Sequence, residues 1–317
     1  MFFADLLQNA QDKETIEKTC EEFATFISDC VKSLIDAYNV AVTKAETTKG
    51  NHQITVFLLV RHAIECLDAV SVLVSKGCSN PCQPLLRSTL EATLGIFYIL
   101  KEDTTRRALA YHVAHYHRRL SLYRKMDPVT QAGQEFRNKF KDDPIVGSVI
   151  ADLGHIDVNG MAAHVETLLK KDDLQPIEDE WQKAKKGKRN PEWYSLFNGP
   201  PNMQELAKEV GLIFPGMYEC LYRYWSNEVH AGSVMNATGK KLGQQVIRPI
   251  RHPEELQQAV TLASSFCVLL CTKLLEVFAP DKLEAFRVQY QETLQTRSKA
   301  LRGKTIIDAP WRDDSGP

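Results

Sequence analysis

The chain has 317 residues, 44% apolar and 25% charged, and its 39 Lys+Arg against 40 Asp+Glu leave a net charge of −1. That mix excludes a collagenous, disordered or disulfide-scaffold chain and a wholesale basic nucleic-acid coat, while permitting local basic patches. The length suits one large domain or two, with enough chain to bury a sizeable core.

Helical periodicity begins near the N-terminus. Residues 14–46 place Ile16, Cys20, Phe23, Phe26, Ile27, Cys30, Val31, Leu34, Ile35 and Tyr38 at spacings of three and four, which predicts one long helix with a single apolar stripe. A second helix is predicted from Ile54 to Lys76, with Gly77 as a left-handed stop. Ser79-Asn80-Pro81 opens a third, from Cys82 to about Leu100. These two form a core hairpin over 51–101. Asp103-Thr104-Thr105 starts a fourth helix, which runs to about Lys125 and ends at Asp127-Pro128.

The middle is less regular. Residues 129–171 read as short helices broken at Asp143-Pro144, Gly154 and Gly160. Lys183, Lys185, Lys186, Lys188 and Arg189, then Asn190-Pro191 and Gly199-Pro200-Pro201, mark a basic loop over 183–201. A motif helix follows over 202–231, then a Gly-containing basic connection over 236–252. C-terminal helices cover 253–300, jointed at Pro280-Asp281. The tail 301–317 reads as flexible. No convincing period-two alternation occurs. The expected class is all-α, a multi-helix bundle of long antiparallel helices in a single helical domain over 1–300.

No run approaches the roughly 18 apolar residues of a membrane span; the most apolar run, Ala259 to Thr272, carries Ser264 and Ser265. Met1-Phe2-Phe3-Ala4-Asp5 lacks the basic start of a secretory signal. Most of the 8 Cys, including Cys30, Cys66, Cys220, Cys267 and Cys271, lie on apolar helical faces. That is the usage of buried thiols in a reducing compartment, so a cytoplasmic protein with no membrane partner is expected.

The most informative segment runs from Tyr222 to Ser233. At 100° per residue, Arg223 and His230 differ by only about 20° around the helix, with Asn227 on the same side. Tyr222, Ser226 and His230 form an adjoining line. A neutral His can take the proton of a ribose 2′-hydroxyl, and an Arg can clamp the phosphate and the charge developing on it. Neither role needs a metal or a cofactor. Set against this, an Arg and a His seven apart are common by chance, and His230 could simply cap a helix end.

Two i,i+4 pairs lie on the hairpin: Arg61 with Glu65, and Arg87 with Glu91, both among apolar neighbours. A buried charge needs a partner, so these pairs are expected to form a buried ion-pair network that fixes the hairpin. As a functional alternative, Arg61, Arg87 and Glu91 form a polar floor that orients His230 and the Tyr222 hydroxyl. A third feature is basic. Lys101 to Lys125 holds seven Lys+Arg against two acids, with Tyr111, Tyr116 and Tyr123 interleaved. Lys240, Lys241, Arg248 and Arg251 follow the motif helix. Together with 183–189 they could track phosphates, or they are solvated helix faces. His112 and His115 lack further ligands for a metal, and no phosphate-cradling or dinucleotide-binding Gly loop is present.

The Arg-x6-His spacing on a helix of an all-α chain resembles the HEPN superfamily. The resemblance implies a metal-independent endoribonuclease or RNA-binding effector of the kind found in antiphage defence and toxin systems. Arg223 would be the phosphate clamp and His230 the general base, with Tyr222, Ser226 and Asn227 orienting the nucleotide. Its implied partners are RNA, a second copy of the chain across a two-fold axis near Trp225 and Val229, and a regulatory protein. A longer pattern is similar to a bacterial family of unknown function: Arg61, Gly77, Arg87, Glu91, Trp193, Tyr222, Ser226 and His230. The alternative function is a non-catalytic binding or scaffold module that uses the same polar face for a nucleotide or protein.

Overall fold

The computed structural model describes residues 13–46, 53–146, 148, 157–185, 190–229, 234–241, 244–247, 250–251 and 256–302. The chain clusters into two compact units, Met1–Lys101 with Val210–Pro317, and Glu102–Glu209.

The first unit is built on four long helices: α1 (Lys13–Glu46), α2 (Gln53–Ser75), α3 (Cys82–Lys101) and α10 (Leu256–Phe278). Each carries an apolar stripe at helical spacing. Phe23, Phe26, Ile27 and Leu34 of α1, Val60, Leu67 and Val70 of α2, Leu86, Leu90 and Leu94 of α3, and Phe266, Leu270 and Leu274 of α10 are all buried, with α1 and α3 each packed on α2 and α10. Burying a Leu or Phe side chain contributes about 1.5–3 kcal/mol, so this seam holds the unit together. α10 is long and apolar enough to cross a membrane, and half of its most apolar window is buried in this core. The α2–α3 turn follows the sequence prediction. Gly77 sits at φ +71°, in the left-handed region that a Cβ disfavours.

The predicted motif helix over 202–231 is two helices. α8 (Met203–Val210) ends at Gly211 (φ +77°) and Leu212 (φ +54°), two successive left-handed residues that turn the chain. α9 then comprises Phe214–Met217, a π turn at Tyr218–Tyr222, and Arg223–Val229. Pro215 lies in its first turn, where its missing N–H costs nothing. α9 packs on α3, with Phe214 edge-on to Phe97 at 5.0 Å. Val234–Ala237 forms a 3-10 turn. Within the expected basic connection, Thr238–Lys241 and Gln244–Ile247 pair as a short antiparallel hairpin, Lys240 opposite Gln245 and Lys241 opposite Gln244. Four-residue strands are too short to leave a period-two signal. α11 (Pro280–Gln289) continues through a π turn at Tyr290–Gln295 to Thr296–Arg302.

The second unit surrounds α4 (Thr104–Met126) with α5 (Gln131–Lys139), α6 (Val158–Leu169), α7 (Gln175–Ala184) and a 3-10 turn at Trp193–Asn198, and it includes α8 up to Glu209. Gly160, expected as a break, lies in the first turn of α6, where the Asp157 carboxylate accepts its N–H. Its core includes Val113 and Leu120 of α4, Val165 of α6, Ile177 and Trp181 of α7, and Trp193. His117 of α4 lies flat on Trp181, with ring centroids 4.8 Å apart, and its Nε2 is 2.7 Å from Glu178 Oε2. Gly154 and residues 303–317 lie outside the described residues.

Six thiols are buried, among them Cys30, Cys267 and Cys271; burial pushes Cys30 up to about 12, so it stays protonated. Cys220 is exposed, against the sequence expectation, because it lies on the outer side of the π turn.

Candidate functional site

The site begins on α3. Gln83, Arg87 and Glu91 stand at i, i+4 and i+8, one above the other on the side that receives α9. Arg87 Nε donates to Glu91 Oε1 at 3.2 Å. Its Nη2 donates to the Tyr222 hydroxyl at 2.9 Å, and the guanidinium carbon lies 4.2 Å from the Tyr222 ring centroid. Tyr218 stacks on Tyr222, with centroids 4.9 Å apart and ring planes 18° apart. Two chain segments 135 residues apart thus meet in one polar cluster.

The cluster is only partly dry. The Arg87 side chain is 17% exposed and Glu91 40%. Burial works against the Arg87 charge, yet the Tyr222 hydroxyl and the Glu91 carboxylate hold it above the ordinary guanidinium value. Burial, followed by the Glu91 charge, raises the Tyr222 phenol above its usual range, with Arg87 opposing. Tyr222 therefore keeps its proton at neutral pH. It accepts from Arg87 and gives its own O–H to the Glu91 carboxylate.

Two buried polar atoms in this cluster have no hydrogen-bond partner among the described residues: Arg87 Nη1 and Gln83 Oε1. One is a donor and the other an acceptor, a turn apart on α3. Sequence reasoning missed Gln83. The available signal was its i,i+4,i+8 alignment with Arg87 and Glu91, hidden because a lone Gln at a helix start carries no chemistry. Tyr218 was missed too, although Tyr218 and Tyr222 are four apart.

The other sequence-predicted residues separate. Arg61 pairs with Glu65 at 2.7 Å, but the two side chains are 63% and 54% exposed. The expected buried network therefore reduces to the Arg87 pair; α2 turns Arg61 outward, where water solvates it. Arg223 is 68% exposed and pairs with Glu219 at 3.1 Å, one turn back on its own helix. Ser226 is half-buried. Trp225 is 1% exposed, so it belongs to its own protomer's core and is not free to line a two-fold contact. Arg251 is exposed, with its Cβ 3.9 Å from where a Gly77 Cβ would stand, which puts it beside the α2–α3 turn. Trp193 packs on Tyr111 and Tyr194 in the second unit. His230 and Arg248 lie outside the described residues, as do the side chains of Asn227, Val229, Lys240 and Lys241. No cluster of three or more His, Cys, Asp or Glu that could hold a metal ion occurs among the described residues.

An α-class protein with one short β-hairpin, whose α3 and α9 share an Arg–Glu–Tyr cluster, is the class that fold and site define. The chain belongs to DUF5677, a family of unknown function, whose family model matches residues 53–241. That span holds the hairpin, α9 and all eight positions of the pattern from Arg61 to His230. The chain matches no curated protein and no solved structure.

Proposed function

We propose that the protein is a HEPN-like, metal-independent endoribonuclease acting in antiphage defence or a toxin system. The observation that carries this reading is Arg87. Its guanidinium is mostly buried and fixed by Tyr222 and Glu91, yet it keeps one nitrogen unpartnered, and Gln83 beside it keeps an unpartnered oxygen. A guanidinium preset by a phenol and a carboxylate suits a phosphate edge. Arg223 supports the reading as well. A surface pair such as Arg223–Glu219 is worth about 0–1 kcal/mol, so an incoming phosphate displaces Glu219 at little cost. His230 would take the 2′-hydroxyl proton and Arg223 would hold the phosphate. Ser226, Asn227 and Tyr222 would orient the nucleotide. The leaving 5′-oxygen also needs a proton, which a second His230 across a two-fold axis would supply.

The test is incubation of the purified chain with total RNA in excess chelator. The expected result is cleavage to 2′,3′-cyclic phosphate ends, abolished in His230→Ala and weakened in Arg223→Ala. Activity that needs added magnesium overturns the assignment. RNA that is bound by the wild-type chain and never cut supports the rival binding-module reading.

A further inference from the structure

α4 carries six cations, Arg106, Arg107, Arg118, Arg119, Arg124 and Lys125, and no acid. The structure sorts them. Arg106 pairs with Asp103, Arg107 with Glu102 and Arg124 with Glu166. Arg118 and Lys125 are exposed, and Arg119 is half-exposed with the Tyr123 hydroxyl as its partner. None of these three has a carboxylate partner among the described residues. With His115 and Leu122 they occupy positions 115, 118, 119, 122 and 125, an arc of about 120° that extends about 15 Å along the helix. Leu122 is 55% exposed within it. The cations are dense enough to act on their neighbour: after burial, the Arg119 and Arg118 charges hold the His115 imidazole below its usual value. The interleaved tyrosines play a different part. Tyr123 is buried and Tyr111 packs on Trp193, so both hold the second unit together.

We infer that the His115–Lys125 face of α4 binds the sugar–phosphate backbone of single-stranded RNA. Cations in one row that lack a carboxylate partner among the described residues, with no acid on their helix, complement a polyanion. The cations meet phosphate, which every nucleotide carries, so the contact is sequence-independent. The exposed Leu122 side chain offers an apolar surface to a sugar or base. The inference rests on the ribonuclease reading only for the choice of RNA as the polyanion.

The test separates binding from cleavage. Anisotropy of a labelled, uncleavable 2′-O-methyl 20-mer is followed from 50 to 300 mM KCl with the full chain. Each phosphate contact on a single strand contributes about −0.7 to the slope of log K against log salt. Arg118→Gln with Lys125→Gln should make the slope shallower by about 1.4 and weaken binding roughly tenfold at 0.15 M salt. Lys32→Gln, which removes one exposed charge from α1, should leave the slope unchanged. The same slope in the double variant as in the wild type overturns the inference. So does binding through these residues to phosphatidylserine vesicles with none to the oligonucleotide, which would make the face a membrane contact. A shallower slope in the double variant of a chain that never cuts RNA supports this surface while refuting the nuclease reading. Cleavage with an unaltered slope does the reverse.

Discussion

Replacing Arg87 by Ala tests whether the α3–α9 cluster holds the fold. Arg87 makes two charge-assisted hydrogen bonds, to Glu91 Oε1 and to the Tyr222 hydroxyl, and covers the Tyr222 ring. Hydrogen bonds to a charged group are worth about 1.5–3 kcal/mol each when desolvated. The Glu91 side chain is 40% exposed, so water recovers most of its share once Arg87 is gone. The loss of a fully buried pair, about 3–5 kcal/mol, is therefore an upper bound, and about 2–3 kcal/mol is expected. At about 2–4 °C per kcal/mol for a body of this size, the melting midpoint should fall by about 4–12 °C. Tyr222→Phe removes only the hydroxyl and should cost about 1 kcal/mol. Combined in a double-mutant cycle followed by circular dichroism, the two changes should fall short of additivity by about 1 kcal/mol. Strict additivity, or a midpoint unmoved by Arg87→Ala, refutes the claim that the contact fixes α9 on α3.

Arg61→Ala should shift the same midpoint by no more than about 4 °C, because a pair this exposed contributes about 0–1 kcal/mol; a loss of about 8 °C or more would restore the buried network. In the second unit, burial pushes the Glu178 carboxyl up, and hydrogen bonds from His117 and Gln182 more than offset it, so it titrates below the usual glutamate range. A depressed carboxylate stabilises the fold above its unfolded value, and that contribution is lost as pH falls through the folded value. Glu178→Gln should therefore lower stability at pH 6–7 and flatten its decline below about pH 4.5, as read by urea melts at stepped pH; parallel curves for variant and wild type would contradict this.

The long elements were legible because their signals repeat. The stripe of Phe23, Phe26, Cys30 and Leu34, and the stop at Gly77, each follow from local chemistry. The break before α9 was also written locally, in Gly211 and Pro215, but the apolar residues on either side made one continuous pattern that hid it. That Arg87, Glu91 and Tyr222 share one site was legible only as one of two readings of the hairpin's charge pairs, and through the family-like pattern. Their meeting is a tertiary event across 135 residues, and periodicity says nothing about which face of α3 receives α9. Exposure was the other hidden quantity. Arg61-x3-Glu65 and Arg87-x3-Glu91 are the same motif among similar neighbours; one faces water and the other faces Tyr222 because only α3 has α9 laid across it.

The π turn decides which side chain of α9 meets Arg87. Tyr222 lies eight residues after Phe214, so a regular α-helix would set it about 80° away from the buried Phe214 face. An i→i+5 turn rotates less per residue, and five residues of it at Tyr218–Tyr222 bring Tyr222 back toward that face. The same rotation leaves Arg223 outward beside Glu219 and keeps Trp225 inward. A π turn is equivalent to an α-helix with one residue inserted, and the residue on the outer side here is Cys220, exposed and apart from the cluster. Deleting Cys220 should therefore restore a regular helix with both flanks in place. Tyr222 would then stand seven residues from Phe214, within about 20° of its face. The melting midpoint should hold within a few degrees, and the Arg87–Tyr222 coupling should persist in the double-mutant cycle. The Tyr218–Tyr222 spacing, however, would shrink to three and lose the stack. A deletion that unfolds the chain, or abolishes the coupling, would show that the π turn is not a single-residue insertion and that Tyr222 reaches Arg87 for another reason.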